Sequence, residues 1–122
     1  DALLSVWDVR SHQKFFYHSA HLHYFTEKTL LKIAQEAGFD IDFVEVNYTQ
    51  DYNILNHLHW VMNDVPQESC LLGMSEIRLN GKDNSISEWL SSEMQDLNKR
   101  YVEKLILSKK TSNMIMRLKN AS

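Results

Sequence analysis

One short segment, FFYHSAHLHYFT, carries the greatest density of side chains that could do chemistry. Three of the six histidines and two tyrosines lie in it: His18, His21, His23, Tyr17 and Tyr24. A neutral imidazole exchanges protons near pH 7, so a histidine in a loop that faces a cleft is suited to act as a general base. The same side chains could equally pack and hydrogen-bond within a loop, and their types alone leave both interpretations open.

A metal site is the rival interpretation of this segment. His21 and His23 would share a face if the chain there is extended. However, no Cys, Asp or Glu lies in the same segment to complete a set of ligands. Cys70 is the single cysteine, which excludes internal disulfides and Cys-rich zinc sites and fits a reducing cytoplasm. We therefore predict no metal and a cytoplasmic location.

A second polar segment, YTQDYNILNHLHW, follows a predicted strand and enters a predicted helix. Gln50, Asn56 and His57 bring hydrogen-bonding groups to this junction. Binding sites in open α/β sheets collect at strand ends and in the loops there, so these three residues are predicted to contact a substrate. The alternative is structural, because Asp51 and Asn53 could simply cap the helix.

The elements that must position these residues begin with a helix over 27–37, capped by Thr26 and stopped by Gly38. A strand is predicted over 39–48, where apolar residues alternate. The alternation changes parity at 43–44, which indicates apolar groups on both faces, from cover on each side or from a bulge.

A second helix is predicted over 53–63, ended before Pro66. Its apolar residues share one side: Ile54, Leu58, Val61 and Met62. The segment 66–84 is loop-like, and Asn80-Gly81 favours a tight turn.

A capping box over 85–88 opens a long helix, and 113–119 has the pattern of a last strand. The apolar stripe of the long helix is predicted to be Ile86, Leu90, Met94, Leu97, Tyr101 and Leu105. The chain is therefore predicted to be α/β.

The 122-residue chain has a net charge of −3, with both signs interleaved. That balance offers no electrostatic surface for nucleic acid or anionic lipid, and no apolar run is long enough to span a membrane. Gly38, Gly73 and Gly81 are the only glycines, too few and too scattered for a Gly-rich nucleotide loop.

The stretch HLHYFTEKTLLKIAQEAGFDIDFVEV resembles the late part of many class I methyltransferases, where a His-x-x-Tyr-Phe-Ser/Thr element leads into a helix ending Ala-Gly-Phe and then the sixth strand. The continuation, with Asn56-His57-Leu58 and Trp60, is similar to a bacterial subgroup linked to sugar and surface-polysaccharide biosynthesis. That subgroup has Gln-Arg-Tyr where this chain has Gln50-Asp51-Tyr52. The resemblance is specific over 21–60 and vague beyond.

The resemblance implies that the chain is the C-terminal part of a doubly wound methyltransferase sheet, seen alone as helices and an antiparallel strand pair. It divides the chain into a helix–strand unit (26–48), a helical insertion or lid (49–97), and a closing helix with the last strand (98–122). The implied reaction is methyl transfer from S-adenosylmethionine to a small molecule, with a sugar or nucleotide-sugar as the substrate class.

Roles follow from the resemblance residue by residue. His21 matches the histidine proposed as base in related sugar C-methyltransferases, and Tyr24 follows it; both are assigned as catalytic. Tyr17 and His18, with the three residues of the second segment, are assigned to substrate binding. The Glu that precedes the base in those enzymes is Ala20 here, so its role is absent or moved.

The Gly-rich loop and the acidic residue by which class I enzymes hold the cofactor do not occur in this sequence. We therefore expect no cofactor-binding residue here, and an inactive fragment that does not bind S-adenosylmethionine. A sheet without its central strands has an unpaired edge, so a homodimer is expected. The alternative function is a non-catalytic α+β protein-interaction module whose aromatic start docks a partner.

Overall fold

The structure is a computed structural model that describes residues 1–119. It contains six α-helices, one 3-10 turn and one two-stranded sheet within that range. In chain order the elements are α1 (Ala2–Ser5), α2 (Arg10–Phe16), α3 (Glu27–Glu36), the 3-10 turn (Ile41–Phe43), β1 (Val44–Thr49), α4 (Ile54–Asn63), α5 (Cys70–Met74), α6 (Asn84–Leu107) and β2 (Asn113–Leu118). None of these helices is both long enough and apolar enough to cross a membrane. The fold is thus mixed helix and strand.

The sheet confirms the predicted pairing of the two strand segments. β1 and β2 run antiparallel, with Val44 opposite Leu118 and Thr49 opposite Asn113. The first strand begins later than predicted, because the Asp40 side chain accepts from the Asp42 N–H at 3.0 Å and closes the 3-10 turn. The parity change at 43–44 marks this passage from turn to strand, so neither two-sided cover nor a bulge explains it.

Helix α3 confirms the predicted helix–Gly–strand unit. Thr26 caps it with a capping box, and Gly38 ends it at φ +88°, a left-handed value that suits glycine. At its start the Glu27 carboxylate accepts from the Tyr48 hydroxyl at 2.6 Å and from Lys109 Nζ at 2.7 Å. This one carboxylate ties α3 to β1 and to the end of α6.

Helix α4 lies where predicted, but its buried face is not the apolar side of the helix. Three of the four apolar residues on that side are exposed: Leu58, Val61 and Met62. The buried face carries Ile54, Asn56, His57 and Trp60. The polar side chains on it find hydrogen-bond partners in neighbouring elements, and a buried polar group with partners costs little.

Helix α6 is one continuous helix, so the boundary predicted between the units 49–97 and 98–122 falls inside it. Residues 120–122 of the second of these units lie outside the described residues. The N-cap of α6 is Asp83 rather than Ser85, at which the predicted capping box begins. The Asp83 side chain accepts from the Ser85 N–H at 2.9 Å and from the Ile86 N–H at 3.3 Å. Gly81 has no positive φ, so the turn expected there is not a tight hairpin turn.

The inward face of α6 is polar. Three of its side chains accept from backbone N–H groups: Asn98 from Ile54 at 2.8 Å, Gln95 from Ile77 at 3.2 Å and Ser91 from Leu79 at 2.9 Å. Within the predicted apolar stripe Leu105 is buried, whereas Ile86, Leu90 and Leu97 are exposed. The helix therefore fixes α4 and the extended segment after α5 through hydrogen bonds.

The chain exposes more surface than a compact monomer of its mass. Its accessible surface is 9092 Å² at 14.4 kDa, against about 6,800 Å² for a typical folded monomer of that mass. The buried apolar cluster is small and joins Leu3, Val9 and Trp60. Much apolar surface is uncovered, and the expected homodimer stays a prediction.

Candidate functional site

A cavity of about 480 Å³ lies between α2, the loop after it, the start of α4 and the loop before α5. His18 and His21 line it from the first polar segment, and Asn56 and His57 line it from the second. The two segments that sequence analysis singled out, about thirty residues apart, therefore meet at one cavity. The other predicted site residues, Tyr17, Tyr24 and Gln50, do not line it.

The floor of the cavity is built from aromatic rings. His12 stands edge-on to Trp60 with ring centroids 4.9 Å apart, and Phe15 lies 5.3 Å from Trp60. Burial lowers the pKa of His12 from its usual 6.5 to about 4, so its imidazole is neutral at pH 7. No role is predicted for His12 from the sequence; the signal that could have found it is its position one helical turn before Phe15 and Phe16 on α2.

Tyr24 clamps the histidine-bearing loop. Its hydroxyl donates to the Phe16 carbonyl at 2.5 Å and accepts from the His18 N–H at 3.1 Å. The Tyr17 ring packs against the Tyr24 ring at 4.8 Å and is itself exposed. The Tyr24 hydroxyl is thus engaged with backbone groups of the loop, and the roles predicted for Tyr17 and Tyr24 stay predictions.

His18 and His21 sit side by side with ring centroids 4.3 Å apart. The Ala20 N–H donates to His18 Nδ1 at 3.3 Å, which leaves His18 Nε2 facing no protein partner in the described structure. The ring nitrogens of His21 make no hydrogen bond to any of residues 1–119. Both imidazoles thus retain groups that can meet a ligand, and His21 retains both of its nitrogens.

His57 differs because both of its ring nitrogens are engaged. Nδ1 lies 2.7 Å from the Tyr101 hydroxyl and Nε2 lies 3.2 Å from Gln50 Nε2. The Gln50 amide is oriented by two backbone groups, accepting from the Ser112 N–H at 2.9 Å and donating to the Tyr52 carbonyl at 2.9 Å. Its remaining amide hydrogen therefore donates to His57 Nε2, which places the imidazole proton on Nδ1, toward Tyr101.

This geometry gives Gln50 and His57 a structural role. Burial lowers the pKa of His57 from its usual 6.5 to about 4, so the ring stays neutral and keeps one donor and one acceptor, both already used. The pair connects the end of β1 to α6 and holds the wall of the cavity. The substrate-binding roles predicted for Gln50 and His57 stay predictions.

Asn56 remains a candidate for binding. Its amide nitrogen donates to Gln67 Oε1 at 2.8 Å, and no protein group in the described range hydrogen-bonds its Oδ1. A Cβ on Gly73 would lie 2.6 Å from the Asn56 amide nitrogen, so only glycine lets α5 approach this closely. The packing fixes the Asn56 side chain at the cavity wall.

The charged side chains of the lining are all carboxylates, and the α-ammonium group of Asp1 acts on His12 and His57. Asp1, Asp51 and Glu68 line the cavity, and no Lys or Arg does. Asp51 accepts from the Asn113 amide at 2.5 Å, while Glu68 makes no hydrogen bond within residues 1–119. In the described part of the chain, no three His, Cys, Asp or Glu residues are grouped so as to hold a metal ion.

The described residues do not fit S-adenosylmethionine. The one glycine with a positive φ, Gly38, ends α3 and has open space around it, so it cradles nothing. Gly73 and Gly81 are crowded by the side chains of Asn56 and Ser87. None of the three glycines therefore offers an open, glycine-lined approach to a nucleotide between residues 1 and 119.

Comparison of the chain with protein-family models, with curated proteins and with solved structures finds no match.

Proposed function

We propose that this chain is the C-terminal part of a class I S-adenosylmethionine-dependent methyltransferase and that its cavity holds the substrate. One observation carries the proposal: the two segments that resemble this family, which α3 and β1 separate in sequence, line the same cavity with His18, His21 and Asn56. The antiparallel pairing of β1 with β2 supports it, because the sixth and seventh strands of the resembled doubly wound fold pair in that way.

In this proposal His21 is the general base. It lies in an exposed loop, lines the cavity and has free ring nitrogens, so it can accept a proton from the nucleophilic atom of the substrate. Asn56 orients the substrate by accepting a hydrogen bond. Transfer between two bound reactants relies mainly on their alignment, which is what such fixed groups provide.

The cofactor supplies the methyl group and binds elsewhere in the parent protein, since the residues described here do not fit it. The division of labour that we propose is therefore substrate contacts and a lid from this chain, and cofactor binding from the central strands of the sheet, in a cytoplasmic enzyme. In this arrangement the rest of the parent protein covers the exposed apolar residues of α4 and α6.

The test compares His21→Ala with His23→Ala in the full-length enzyme. His23 is the matched control because it lies two residues away, is exposed and does not line the cavity. General-base assistance typically contributes about 100- to 10,000-fold, so kcat should fall by that range in His21→Ala and little in His23→Ala. The affinity for S-adenosylmethionine should not change in either variant.

Equal kcat values for the two variants would assign His21 to packing and remove the dedicated base from the mechanism. A parent protein that transfers no methyl group would refute the function as a whole.

A non-catalytic interaction module is the second candidate, and the uncovered apolar surface favours it. The two candidates differ in the sequence that precedes this segment in the gene. A Gly-rich loop after a predicted strand there supports the enzyme, and its absence supports the module.

A further inference from the structure

The cavity floor holds a buried polar side chain without a partner. His12 is 6% exposed, and neither of its ring nitrogens makes a hydrogen bond. The Asp1 Oδ1 atom is 3.6 Å from Nε2, too far for a good hydrogen bond. A buried imidazole left unsatisfied is unfavourable, so a ligand that satisfies it gains binding free energy.

To satisfy the free hydrogen-bonding groups around the cavity, a ligand must supply both a donor and an acceptor. Neutral His12 presents one N–H and one lone pair, and Asn56 Oδ1 presents a second acceptor. A hydroxyl group donates and accepts at once, so a ligand with several hydroxyl groups can meet all of these atoms. Phe15, 48% exposed beside Trp60, adds an apolar ring face against which the C–H face of a sugar ring can pack.

The charge of the lining works against anions. Three carboxylates line the cavity against the α-ammonium group of Asp1, no Lys or Arg lines it, and Glu68 at the rim makes no hydrogen bond to the described chain. A carboxylate or phosphate on the ligand would be repelled by this excess of negative charge, most strongly inside the cavity where water screens less.

We infer that the cavity selects a sugar-sized, polyhydroxylated ligand without negative charge, bound at its floor by His12. That this ligand is the substrate rests on the proposed function, whereas the preference for an uncharged, hydroxyl-bearing ligand rests on the lining alone. A nucleotide-sugar can place only its sugar ring here, with its diphosphate outside the acidic rim.

Cys70 gives the site its own reporter. It lines the cavity, is exposed and is the chain's single cysteine. A ligand in the cavity should slow alkylation of Cys70 by iodoacetamide, a neutral reagent. The assay contains no S-adenosylmethionine, so it reports on this inference whether or not methyl transfer occurs.

The probes are the methyl glycosides of glucose and galactose, each at millimolar concentrations, with glucuronate, glucose 6-phosphate and galacturonate as their anionic counterparts. We expect at least one neutral sugar to slow alkylation with saturation, and the anionic counterpart of a protecting sugar to bind about tenfold more weakly or not at all. Equal or better protection by the anions, or no protection by any neutral sugar, would overturn the inference.

Two variants assign the roles. His12→Phe keeps a ring against Trp60 and removes both nitrogens, so protection by neutral sugars should weaken about tenfold. Glu68→Gln removes one rim charge and should narrow the difference in affinity between the glucose and glucuronate probes. Glu93→Gln, an exposed change on α6 away from the cavity, should leave that difference unchanged. A difference unchanged in Glu68→Gln, which needs no buried substitution, would refute the charge preference even if His12→Phe fails to fold.

Discussion

The two walls of the cavity use histidine in opposite ways. On the α4 side, His57 is 2% exposed and both of its ring nitrogens are engaged, by Tyr101 and by Gln50. On the loop side, His21 is exposed and its ring nitrogens have no partner in residues 1–119. The first wall is fixed by its hydrogen bonds and the second is held by one tyrosine clamp.

This difference separates residues that build a site from residues that can act in it. A side chain whose donors and acceptors are all used has nothing to offer a ligand, however close it lies. A histidine with free nitrogens in an accessible loop can exchange protons. The sequences of the two walls do not reveal this difference, because both are rich in histidine.

Acid should produce the largest effect, and it acts on the buried histidines. The folded state keeps His12 and His57 neutral down to about pH 4, whereas the unfolded chain protonates them near pH 6.5. The unfolded state therefore binds protons first as the pH falls, so stability is complete above about pH 6.5 and declines toward pH 4, by up to roughly 3 kcal/mol per histidine. Urea unfolding between pH 7.5 and pH 4 measures this.

Replacing His57 by Phe should flatten that decline, and replacing exposed His23 by Phe should not. A pH profile that is the same in wild type and His57→Phe would show that the buried histidine is not the titrating group.

Truncating a histidine on each wall should give unequal losses. His57→Leu leaves Tyr101 and Gln50 without their partner, so we expect a loss of about 2–3 kcal/mol in the free energy of unfolding at pH 7. His21→Leu removes no hydrogen bond of its side chain and should change the same free energy by less than about 0.5 kcal/mol. Equal losses in urea unfolding would abolish the distinction between the two walls.

The tyrosine clamp should have the smallest effect. Tyr24→Phe keeps the ring and removes the hydroxyl that joins the Phe16 carbonyl to the His18 N–H. The free energy of local opening of this loop should fall by about 1 kcal/mol. Exchange of the His18 amide hydrogen should therefore accelerate roughly fivefold, while global stability hardly changes. Tyr17→Phe is the control, and matching exchange rates in the two variants would deny the clamp.

The local elements were predictable because their signals are local. Thr26 and Gly38 mark the ends of α3, and Asn53 caps α4 by accepting from the Asn56 N–H at 3.0 Å. Asn53 also donates to the carbonyls of Leu72 and Ser75, at the end of α5, and no pattern in the sequence indicates that second role.

The inward faces of the helices were not predictable from periodicity alone. An apolar stripe predicts burial when apolar contact decides the packing, but α4 and α6 are turned by distant hydrogen bonds such as that from the Ile54 N–H to Asn98. The partners of His57 are likewise 7 and 44 positions away in sequence. Such pairs are set by the tertiary structure, so the sequence offers candidate residues without indicating which of them line the cavity or keep free hydrogen-bonding atoms.

The antiparallel sheet has a consequence for the order in which the molecule assembles. Its pairing joins Val44–Thr49 to Asn113–Leu118, and the Ser112 N–H that orients Gln50 is 62 positions away from it. Contacts so far apart in sequence form slowly, whereas a helix such as α6 forms within microseconds. During refolding, helical circular dichroism should therefore recover first, and the cavity should exist only after the two ends of this long chain segment have met.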